Sequence, residues 1–377
     1  MSKYRFDQIA INSTEKKKPV EEDRFTYLGL EHLDSGSLKV TRYGSEVAPI
    51  GEKLIMRKGD VLFGKRRAYQ KKVAIAPFDG IFSAHGMVLR PKEDVIDKDF
   101  FPLFISSDYF LDAAIKISVG SLSPTINWRD LKELEFELPD LDTQRRLAAV
   151  LWAMNETMDS YKELIAATDE LVKSQFMEQF GSKRRERLGN YIEQVRGVSY
   201  KPKDLGSELD GNHITLLRAN NVNDGTINFD EVQYVDKSKV SEGQVIRTGD
   251  ILMCASSGSL EHVGKAALCK LSGEYTFGAF CKIIRPTGKL KPEYIVSFMN
   301  GHEYRHIIME LAQGSNINNL RNEHINDLMI PVPSDEEQKE FMAFLRQSDK
   351  SKFAAEFCSN LNLWSSSRTL LNSQKHV

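Results

Sequence analysis

Residues 139–181 read PDLDTQRRLAAVLWAMNETMDSYKELIAATDELVKSQFMEQFG, and this stretch predicts one long helix. Apolar or near-apolar residues recur in steps of three and four, which keeps one face of a helix buried. The members of this stripe are Leu147, Val150, Met154, Tyr161, Leu164, Thr168 and Leu171, widened by Leu151, Met158, Ile165 and Val172. Such a face suits a coiled-coil partner as well as a core. At about 1.5 Å per residue, ~40 residues make a rod of roughly 60 Å, so the helix is either a long core helix or a spacer.

The totals indicate a soluble protein of several domains. A chain of 377 residues predicts two to three domains. Its net charge of −2 gives no global case for nucleic acid, so any such surface must be local. The start lacks the apolar core of a signal peptide, and no run of about 18 apolar residues would span a membrane. The four cysteines form no CxxC pair, which favours reduced, mostly buried thiols over a zinc site and predicts a cytoplasmic protein.

The second half of the chain repeats the first. With an offset near 194 residues (314 minus 120) the same residue types recur in the same order. The matches are Gly59–Leu62 with Gly249–Leu252, Arg90-Pro91 with Arg285-Pro286, Gly120-Ser121 with Gly314-Ser315, Ile126 with Leu320, and Pro139 with Pro333. An ordered series of this kind predicts two copies of a globular unit, each followed by a long helix. This repeat favours the spacer interpretation of residues 139–181.

Each copy predicts short strands, then a helix, then a strand that leads into the long helix. In the first copy the predicted strands are 25–30, 61–63, 73–76, 87–89 and 133–138, with a helix over 100–117. In the second copy the predicted strands are 214–217, 244–246, 250–254, 265–268 and 281–284, with a helix over 293–311. Ser334 and Glu337 have the spacing of a capping box at the start of the second long helix.

Two loops of the first copy carry groups that suit nucleic acid. Arginine and lysine bind phosphates or guanine, and glutamine can contact adenine. The basic run consists of Lys65, Arg66, Arg67, Tyr69, Gln70, Lys71 and Lys72, and a solvated hairpin tip explains it equally well. The loop 120–127 supplies Ser121, Ser123 and Asn127, and an ordinary turn is the alternative there.

The second copy has polar segments at comparable places. Small hydrogen-bonding side chains and cations predominate in them. The first segment lies just past a predicted strand, the second is a polar turn, and the third is the copy of the loop 120–127. These candidates are Arg218, Asn220, Asn221, Ser256, Ser257, Ser259, His262, Lys265, Ser315, Asn316, Asn318 and Arg321.

One motif indicates a different function. Residues 302–306, His-Glu-Tyr-Arg-His, match HExxH, in which two histidines one helical turn apart hold Zn²⁺ while the glutamate activates its water. The first copy has Asp108, Tyr109 and Asp112 at the equivalent positions, so the repeated unit does without this motif. We therefore expect no metal here, although a zinc metalloprotease remains one alternative. Phosphate-binding loops, dinucleotide fingerprints and nucleophile elbows are absent, so the sequence indicates a binding protein without catalytic residues.

The residues that end each copy resemble those of specificity subunits of type I restriction–modification systems. In the first copy they are Leu138-Pro139, Gln144-Arg145-Arg146 and the helix to Phe180-Gly181; in the second they are Ile330–Pro333 with Glu336-Glu337-Gln338. Residues 217–222 and 249–252 are also similar to this family.

The resemblance implies an α+β fold of two tandem α/β target recognition domains, each followed by a long helix. The implied domains are 1–139 and 182–333, and the implied spacer helices, 140–181 and 334–377, would pack as an antiparallel coiled coil with pseudo-twofold symmetry. Each domain would recognise one half of an asymmetric, bipartite target in double-stranded DNA. Half-sites on one side of DNA recur every ~34 Å, so a rod of this size is a credible spacer.

The resemblance also implies partners and their cofactors. Two modification subunits would bring S-adenosylmethionine and methylate adenine, and restriction subunits would use ATP and Mg²⁺; this chain would bind no cofactor itself. A coiled-coil scaffold that does not bind DNA is the second alternative, beside the zinc protease.

Overall fold

The computed structural model describes residues 1–223, 225–271, 274–312 and 318–360, apart from the side chains of residues 318 and 354–360. These residues divide into two compact units, Met1–Ser160 with Cys358–Asn360 (unit 1) and Tyr161–Phe357 (unit 2). None of the helices in the described ranges combines the length and apolarity that a membrane span needs. The predicted contacts Ser315 and Asn316, and the expected helix beyond residue 360, lie outside the described residues.

Unit 1 is a mixture of short strands and helices. Its strands are β1 (Ser2–Arg5), β2 (Ala10–Ser13), β3 (Lys16–Lys17), β4 (Tyr27–Leu28), β5 (Lys53–Met56), β6 (Val61–Phe63), β7 (Val73–Ile75), β8 (Gly80–Phe82), β9 (Met87–Pro91) and β10 (Glu135–Leu138). Its helices are α1 (Phe6–Ile9), α2 (Phe100–Ser106), α3 (Asp108–Lys116), α4 (Trp128–Leu131) and the start of α5 (Leu141–Phe180).

Two four-stranded sheets and an aromatic cluster form the body of unit 1. The sheets have the orders β2-β9-β6-β7 and β3-β5-β8-β4, and only the pair β4–β8 is parallel among these neighbours. Strand β1 pairs with β10, which leads into α5. The buried rings of Phe6, Phe104, Phe110 and Phe136 pack together with centroids 5.0 to 6.0 Å apart. Burial of these rings, on α1, α2, α3 and β10, holds the helices against the first sheet.

Unit 2 contains a comparable set of elements. Its strands are β11 (Arg185–Arg187), β12 (Ile192–Arg196), β13 (Leu205–Gly206), β14 (His213–Leu217), β15 (Val222–Asn223), β16 (Thr226–Ile227), β17 (Gln233–Asp236), β18 (Ile251–Cys254), β19 (Ser256–Ser257), β20 (Ala266–Leu268), β21 (Tyr275–Phe277), β22 (Cys281–Pro286), β23 (Asn318–Asn319) and β24 (Met329–Pro331). After the end of α5, its helices are α6 (Pro292–Met299), α7 (His302–Ala312), α8 (Asn322–Asn326) and α9 (Asp335–Asn360).

One sheet has the same strand order in both units, and the other sheet differs between them. The sheet β12-β22-β18-β20 has the strand order of β2-β9-β6-β7, and β11–β24 repeats β1–β10. In the second sheet, β14–β21 is parallel like β4–β8. The adjoining antiparallel strand, however, pairs with β14 in unit 2 but with β8 in unit 1. The repeat therefore preserves a common frame and varies the second sheet.

A buried glutamine attaches each long helix to its unit. Gln144 Oε1 accepts a hydrogen bond from the backbone nitrogen of Asp97 at 2.8 Å, and its Nε2 donates to the carbonyl of Pro139 at 2.9 Å. Gln338 Oε1 accepts from the backbone nitrogen of Lys291 at 2.9 Å. Both glutamines are buried. A buried amide needs hydrogen-bond partners, so Gln144 and Gln338, which the repeat places at equivalent positions, fix where each long helix begins.

The long helices run antiparallel where both belong to unit 2. The ring of Phe341 on α9 lies 5.3 Å from that of Phe180 and 5.7 Å from that of Phe176 on α5. Further along α9, Lys352 forms an ion pair with Asp169. Contacts thus move toward the N-terminus of α5 as they move toward the C-terminus of α9. The predicted capping box is confirmed, because Glu337 accepts from the Ser334 backbone nitrogen at 2.9 Å and its own backbone nitrogen donates to Ser334 Oγ at 3.3 Å.

Several predicted elements have other bounds. The helix predicted over 100–117 is two helices, because Ser107 ends α2 and its hydroxyl accepts from Phe110 N to begin α3. The helix predicted over 293–311 is likewise divided between α6 and α7. The strand predicted over 244–246 is wrong, since Glu242–Gln244 form a 3₁₀ turn in which Gln244 N donates to the carbonyl of Ser241 at 2.9 Å. The strand predicted over 25–30 is reduced to Tyr27–Leu28.

Candidate nucleic-acid interface

In unit 1 the fold pairs the two loops that the sequence singled out. We call residues 64–72 the basic loop and residues 118–127 the serine loop. Ile126 N donates to the carbonyl of Lys65 at 2.9 Å, and Arg67 N donates to that of Pro124 at 2.8 Å. Arg66 and Thr125 form an antiparallel bridge between the loops. Segments about sixty residues apart in sequence therefore form one continuous surface.

The exposed part of this surface is cationic and polar. Arg66, Arg67, Tyr69 and Ser121 are exposed, and Leu122 at the tip of the serine loop is 92% exposed. Arg67 has a φ of 54°, in the left-handed region that side chains other than glycine rarely adopt. Lys71 in the same loop has a φ of 49°, so left-handed residues shape both sides of the turn Ala68–Gln70.

Two lysines of the basic loop have structural partners instead. Lys71 Nζ forms ion pairs with Asp108 at 2.7 Å and Asp112 at 2.8 Å, and Lys72 Nζ donates to the carbonyl of Leu30 at 2.6 Å. These ammonium groups hold the loop against α3 and the segment after β4. Both remain predicted contacts, with less support than Arg66 and Arg67, because acidic and carbonyl partners distant in sequence already bind these charges.

The remaining candidates of unit 1 lie at the edges of the paired loops. Lys65 and Gln70 are half-buried, and burial, with a smaller effect of Lys16, lowers the pKa of Lys65. The carbonyl of Ser123 accepts from Thr125 Oγ1 at 3.1 Å, and Asn127 is exposed just before α4.

Unit 2 forms the equivalent pair of segments with different side chains. Ser256 and Ser257 in β19 pair with Asn319 and Asn318 in β23. Leu320 N donates to the carbonyl of Ala255 at 2.9 Å, as Ile126 N does to that of Lys65. Hydroxyl and amide groups thus replace the arginines of unit 1. Ser257 is half-buried, whereas Ser256 is buried with only 9% of its surface exposed, so its hydroxyl is a poor candidate for a contact.

One of the three candidates in the segment after β14 is buried. Asn221 is fully buried, and its side chain accepts from Arg218 N at 2.8 Å and donates to the carbonyl of Asp230 at 2.9 Å. Its side chain shapes the turn and has no exposed surface for a contact. Arg218 is half-buried and donates from Nη2 to the carbonyl of Glu231 at 2.7 Å, whereas Asn220 is exposed.

The other candidates of unit 2 vary in exposure. Ser259 and His262 are exposed, whereas Lys265 is half-buried and its carbonyl accepts from Cys254 N at 2.9 Å. Arg321 is exposed and donates to His324 Nε2 at 3.1 Å. Of Asn318 the structure describes the backbone in β23 only.

Sequence reasoning missed three residues beside these loops. His85 and Phe280 occupy matching turns, and both are exposed. Lys282 is 9% exposed, and its ammonium donates to the carbonyl of Leu320 and to Asn322 Oδ1, both at 2.8 Å. Burial lowers the pKa of Lys282. Only the strand register shows that these residues lie beside the loops. The same register places Met87 of unit 1 at the position that Lys282 occupies in unit 2.

The HExxH residues are engaged in ion pairs. Glu303 binds Arg185 with two hydrogen bonds, at 2.5 and 2.9 Å, His302 lies 2.8 Å from Glu170, and His306 lies 3.2 Å from Glu310. Among the described residues, no group of three or more histidines, cysteines and carboxylates is placed to hold a metal ion. The geometry therefore gives the zinc-protease alternative no support. Cys254, Cys269 and Cys281 are buried and unpaired, and the Cys358 side chain lies outside the described residues.

The comparisons with known proteins agree on one family. The sequence matches the type I restriction modification DNA specificity domain over residues 14–167 and again over 198–356. It is 39% identical over 145 residues to the type I restriction enzyme StySPI specificity subunit of Salmonella potsdam. That match covers 38% of this chain and 31% of the relative, so the chain matches about a third of that curated protein's length.

Two solved structures share the fold. One belongs to work on complex assembly and conformational transition of the type I R-M system, with a TM-score of 0.56, 18% identity and coverage of 98% of this chain and 96% of that chain. The other is the S subunit of a type I restriction–modification system from M. genitalium, with a TM-score of 0.54, 14% identity and coverage of 99% and 94%. The family match extends over parts of both units and over more than half of the sequence. The chain belongs to the family of type I restriction–modification DNA specificity domains.

Proposed function

We propose that this chain is the DNA-specificity subunit of a type I restriction–modification system. Each unit recognises one half of a bipartite target in double-stranded DNA. The observation that carries this proposal is the repeated loop pairing, Ile126 N to the Lys65 carbonyl and Leu320 N to the Ala255 carbonyl. One backbone frame thus presents two different sets of side chains, as recognition of two different half-sites requires.

The two sets differ in chemistry. Unit 1 presents Arg66 and Arg67, which suit phosphates and guanine, whereas unit 2 presents Ser257 and Asn319, which suit other base edges. Unequal halves make the target asymmetric. Phosphate contacts supply salt-dependent affinity, and base contacts supply the preference for sequence.

The long helices separate the two recognition units in this proposal. Helix α5 begins in unit 1 and ends in unit 2, where α9 lies antiparallel to it. We assign residues 1–139 and 182–333 to the recognition domains, and 140–181 and 334–377 to spacer helices that form a coiled coil. The helices thereby fix the length of DNA that is not recognised between the half-sites.

Catalysis belongs to partner subunits in this proposal. Two modification subunits bind S-adenosylmethionine and methylate adenine, and restriction subunits use ATP and Mg²⁺ to translocate and cleave DNA. This chain binds the DNA and both kinds of partner in the cytoplasm, where their common substrate lies. It contributes no catalytic residue, which agrees with the ion pairing of Glu303.

Selection from random DNA tests the proposal. The full chain, assembled with the modification subunits of its own system, is incubated with a library of random duplexes, and bound DNA is sequenced. We expect two short, different conserved blocks separated by unselected positions. The same modification subunits without this chain should enrich no such pattern. Equal enrichment with and without the chain contradicts the proposal and supports the scaffold alternative.

A further inference from the structure

A matching turn in each unit lies directly beside the paired loops. In unit 1 it joins β8 to β9 and is closed by a hydrogen bond from Gly86 N to the carbonyl of Ser83 at 3.0 Å. In unit 2 it joins β21 to β22 and is closed from Cys281 N to the carbonyl of Gly278 at 2.9 Å. We call these the β8–β9 turn and the β21–β22 turn.

The third residue of each turn is bonded to the loop that the sequence analysis selected. The carbonyl of His85 accepts from Arg66 N at 3.2 Å. The carbonyl of Phe280 accepts from Ser256 N at 3.0 Å and from Ala255 N at 2.9 Å. The turn is therefore fixed to the loop through its backbone, which allows the side chain of its third residue to project outward.

Those side chains are exposed although their chemistry favours contact. Phe280 leaves 67% of its surface exposed, on a turn held by three backbone hydrogen bonds. Exposed phenylalanine surface is unfavourable in water, and burying it against a partner is favourable. His85 is exposed beside Arg66, whose Nη1 lies 3.4 Å from His85 Nε2.

We propose that the third residue of this turn, Phe280 in unit 2 and His85 in unit 1, touches a base of the half-site that its unit recognises. This inference rests on the proposed function. Phenylalanine gains nothing from a phosphate, so its DNA partner is the face of a base or the methyl group of thymine. His85 instead forms a hydrogen bond to a base edge.

The surroundings favour DNA over a protein partner. Ser256, Ser257 and Asn319 adjoin the Phe280 turn, and Arg66 adjoins the His85 turn. An apolar anchor for a protein is normally set among other apolar or aromatic side chains in a dry centre. Phe280 lies beside hydroxyl and amide groups, and His85 lies beside a guanidinium group. Such polar surroundings match a surface that contacts both bases and phosphates.

The proposal is tested by mapping methylated adenines in DNA from cells that carry the complete system. The full chain is compared in three forms, wild type, Phe280→Ala and His85→Ala. Phe353→Ala is the matched control, because Phe353 lies on α9 of the same unit and is 69% exposed. We expect Phe280→Ala to lower discrimination roughly tenfold at a position in one half of the target. His85→Ala should do the same in the other half, and Phe353→Ala should leave both halves unchanged.

Three results would overturn the proposal. The first is an unchanged target sequence in both turn variants. The second is a uniform loss of methylation with an unchanged target and less co-purifying modification subunit, which would assign Phe280 to a protein interface. The third is a wild-type system without a two-part target that depends on this chain, which would overturn the proposed function as well. A thermal melt of each variant confirms that these surface substitutions leave the fold intact.

Discussion

Arg285 donates two hydrogen bonds to the carboxylate of Asp250, from Nε to Oδ1 at 2.8 Å and from Nη2 to Oδ2 at 2.7 Å. Arg90 and Asp60 form the same bidentate pair in unit 1, at 2.7 and 2.9 Å. Each aspartate also accepts from the backbone nitrogen three residues before it. In each unit the pair joins the turn before one central strand (β6 or β18) to the neighbouring strand (β9 or β22). This role explains why these residues recur in both copies.

Removal of Asp250 should destabilise unit 2 strongly. Its side chain is 3% exposed and that of Arg285 14%, so Asp250→Ala leaves a largely desolvated guanidinium without its counter-charge. We expect the free energy of unfolding to fall by about 3 kcal/mol or more. Glu193, an exposed residue opposite Arg285 on β12, supplies the control, and Glu193→Ala should change stability by less than about 0.5 kcal/mol. Chemical denaturation measures both, and equal losses would contradict this account of the pair.

His32 should make the stability of unit 1 depend on pH. Its Nδ1 accepts a hydrogen bond from Gly29 N at 2.9 Å, which the neutral ring allows, and burial lowers its pKa from 6.5. A folded-state pKa below the unfolded value means that the contribution is present above about pH 6.5 and is lost as pH falls toward the lowered pKa.

Asparagine at this position is the matched variant for that test. Asn221 accepts from Arg218 N at the equivalent turn of unit 2, so His32→Asn keeps an acceptor and removes the titration. Unfolding free energies at about pH 7.5 and about pH 5.5 should differ less in His32→Asn than in the wild type. An equal difference in the two proteins would show that His32 does not titrate in this way.

The basic loop should contribute to affinity through its exposed arginines. Substitution of both Arg66 and Arg67 by alanine should weaken DNA binding and reduce the slope of log K against log salt by about one for each phosphate that is no longer neutralised. Lys71→Ala is the control from the same loop, because Lys71 is already paired with Asp108 and Asp112. A salt titration of duplex binding measures the slopes, and an unchanged slope in the double variant would remove the basic loop from the interface.

The sequence predicted the repeated frame well because local patterns encode it. Gly59 and Gly249 both have a φ of 91°, which favours glycine, and each precedes the aspartate of the bidentate pair. The apolar periodicity of residues 141–180 likewise predicted a single helix, and the structure confirms it. Such signals lie within a few residues of one another and can be recognised without the fold.

The site was less predictable because its chemistry depends on distant partners. Lys71 and Lys72 resemble their neighbour Arg67 in sequence, and only the packing of α3 and of the segment after β4 shows that they are engaged. The burial of Asn221 depends on the segment near Asp230. The sequence around Phe280 contains no motif that singles it out. Only the hydrogen bonds that its carbonyl accepts from Ala255 N and Ser256 N place it beside a recognition loop.

The central proposal is that paired helices hold two different recognition units at a set distance. The length of DNA between the two half-sites tests this proposal most directly. Sequencing of methylated adenines across the DNA of cells carrying the complete system supplies this length at every modified site. We predict two different short sequences separated by one constant number of unrecognised base pairs. Identical halves, a single continuous target or a gap that varies from site to site would contradict the account.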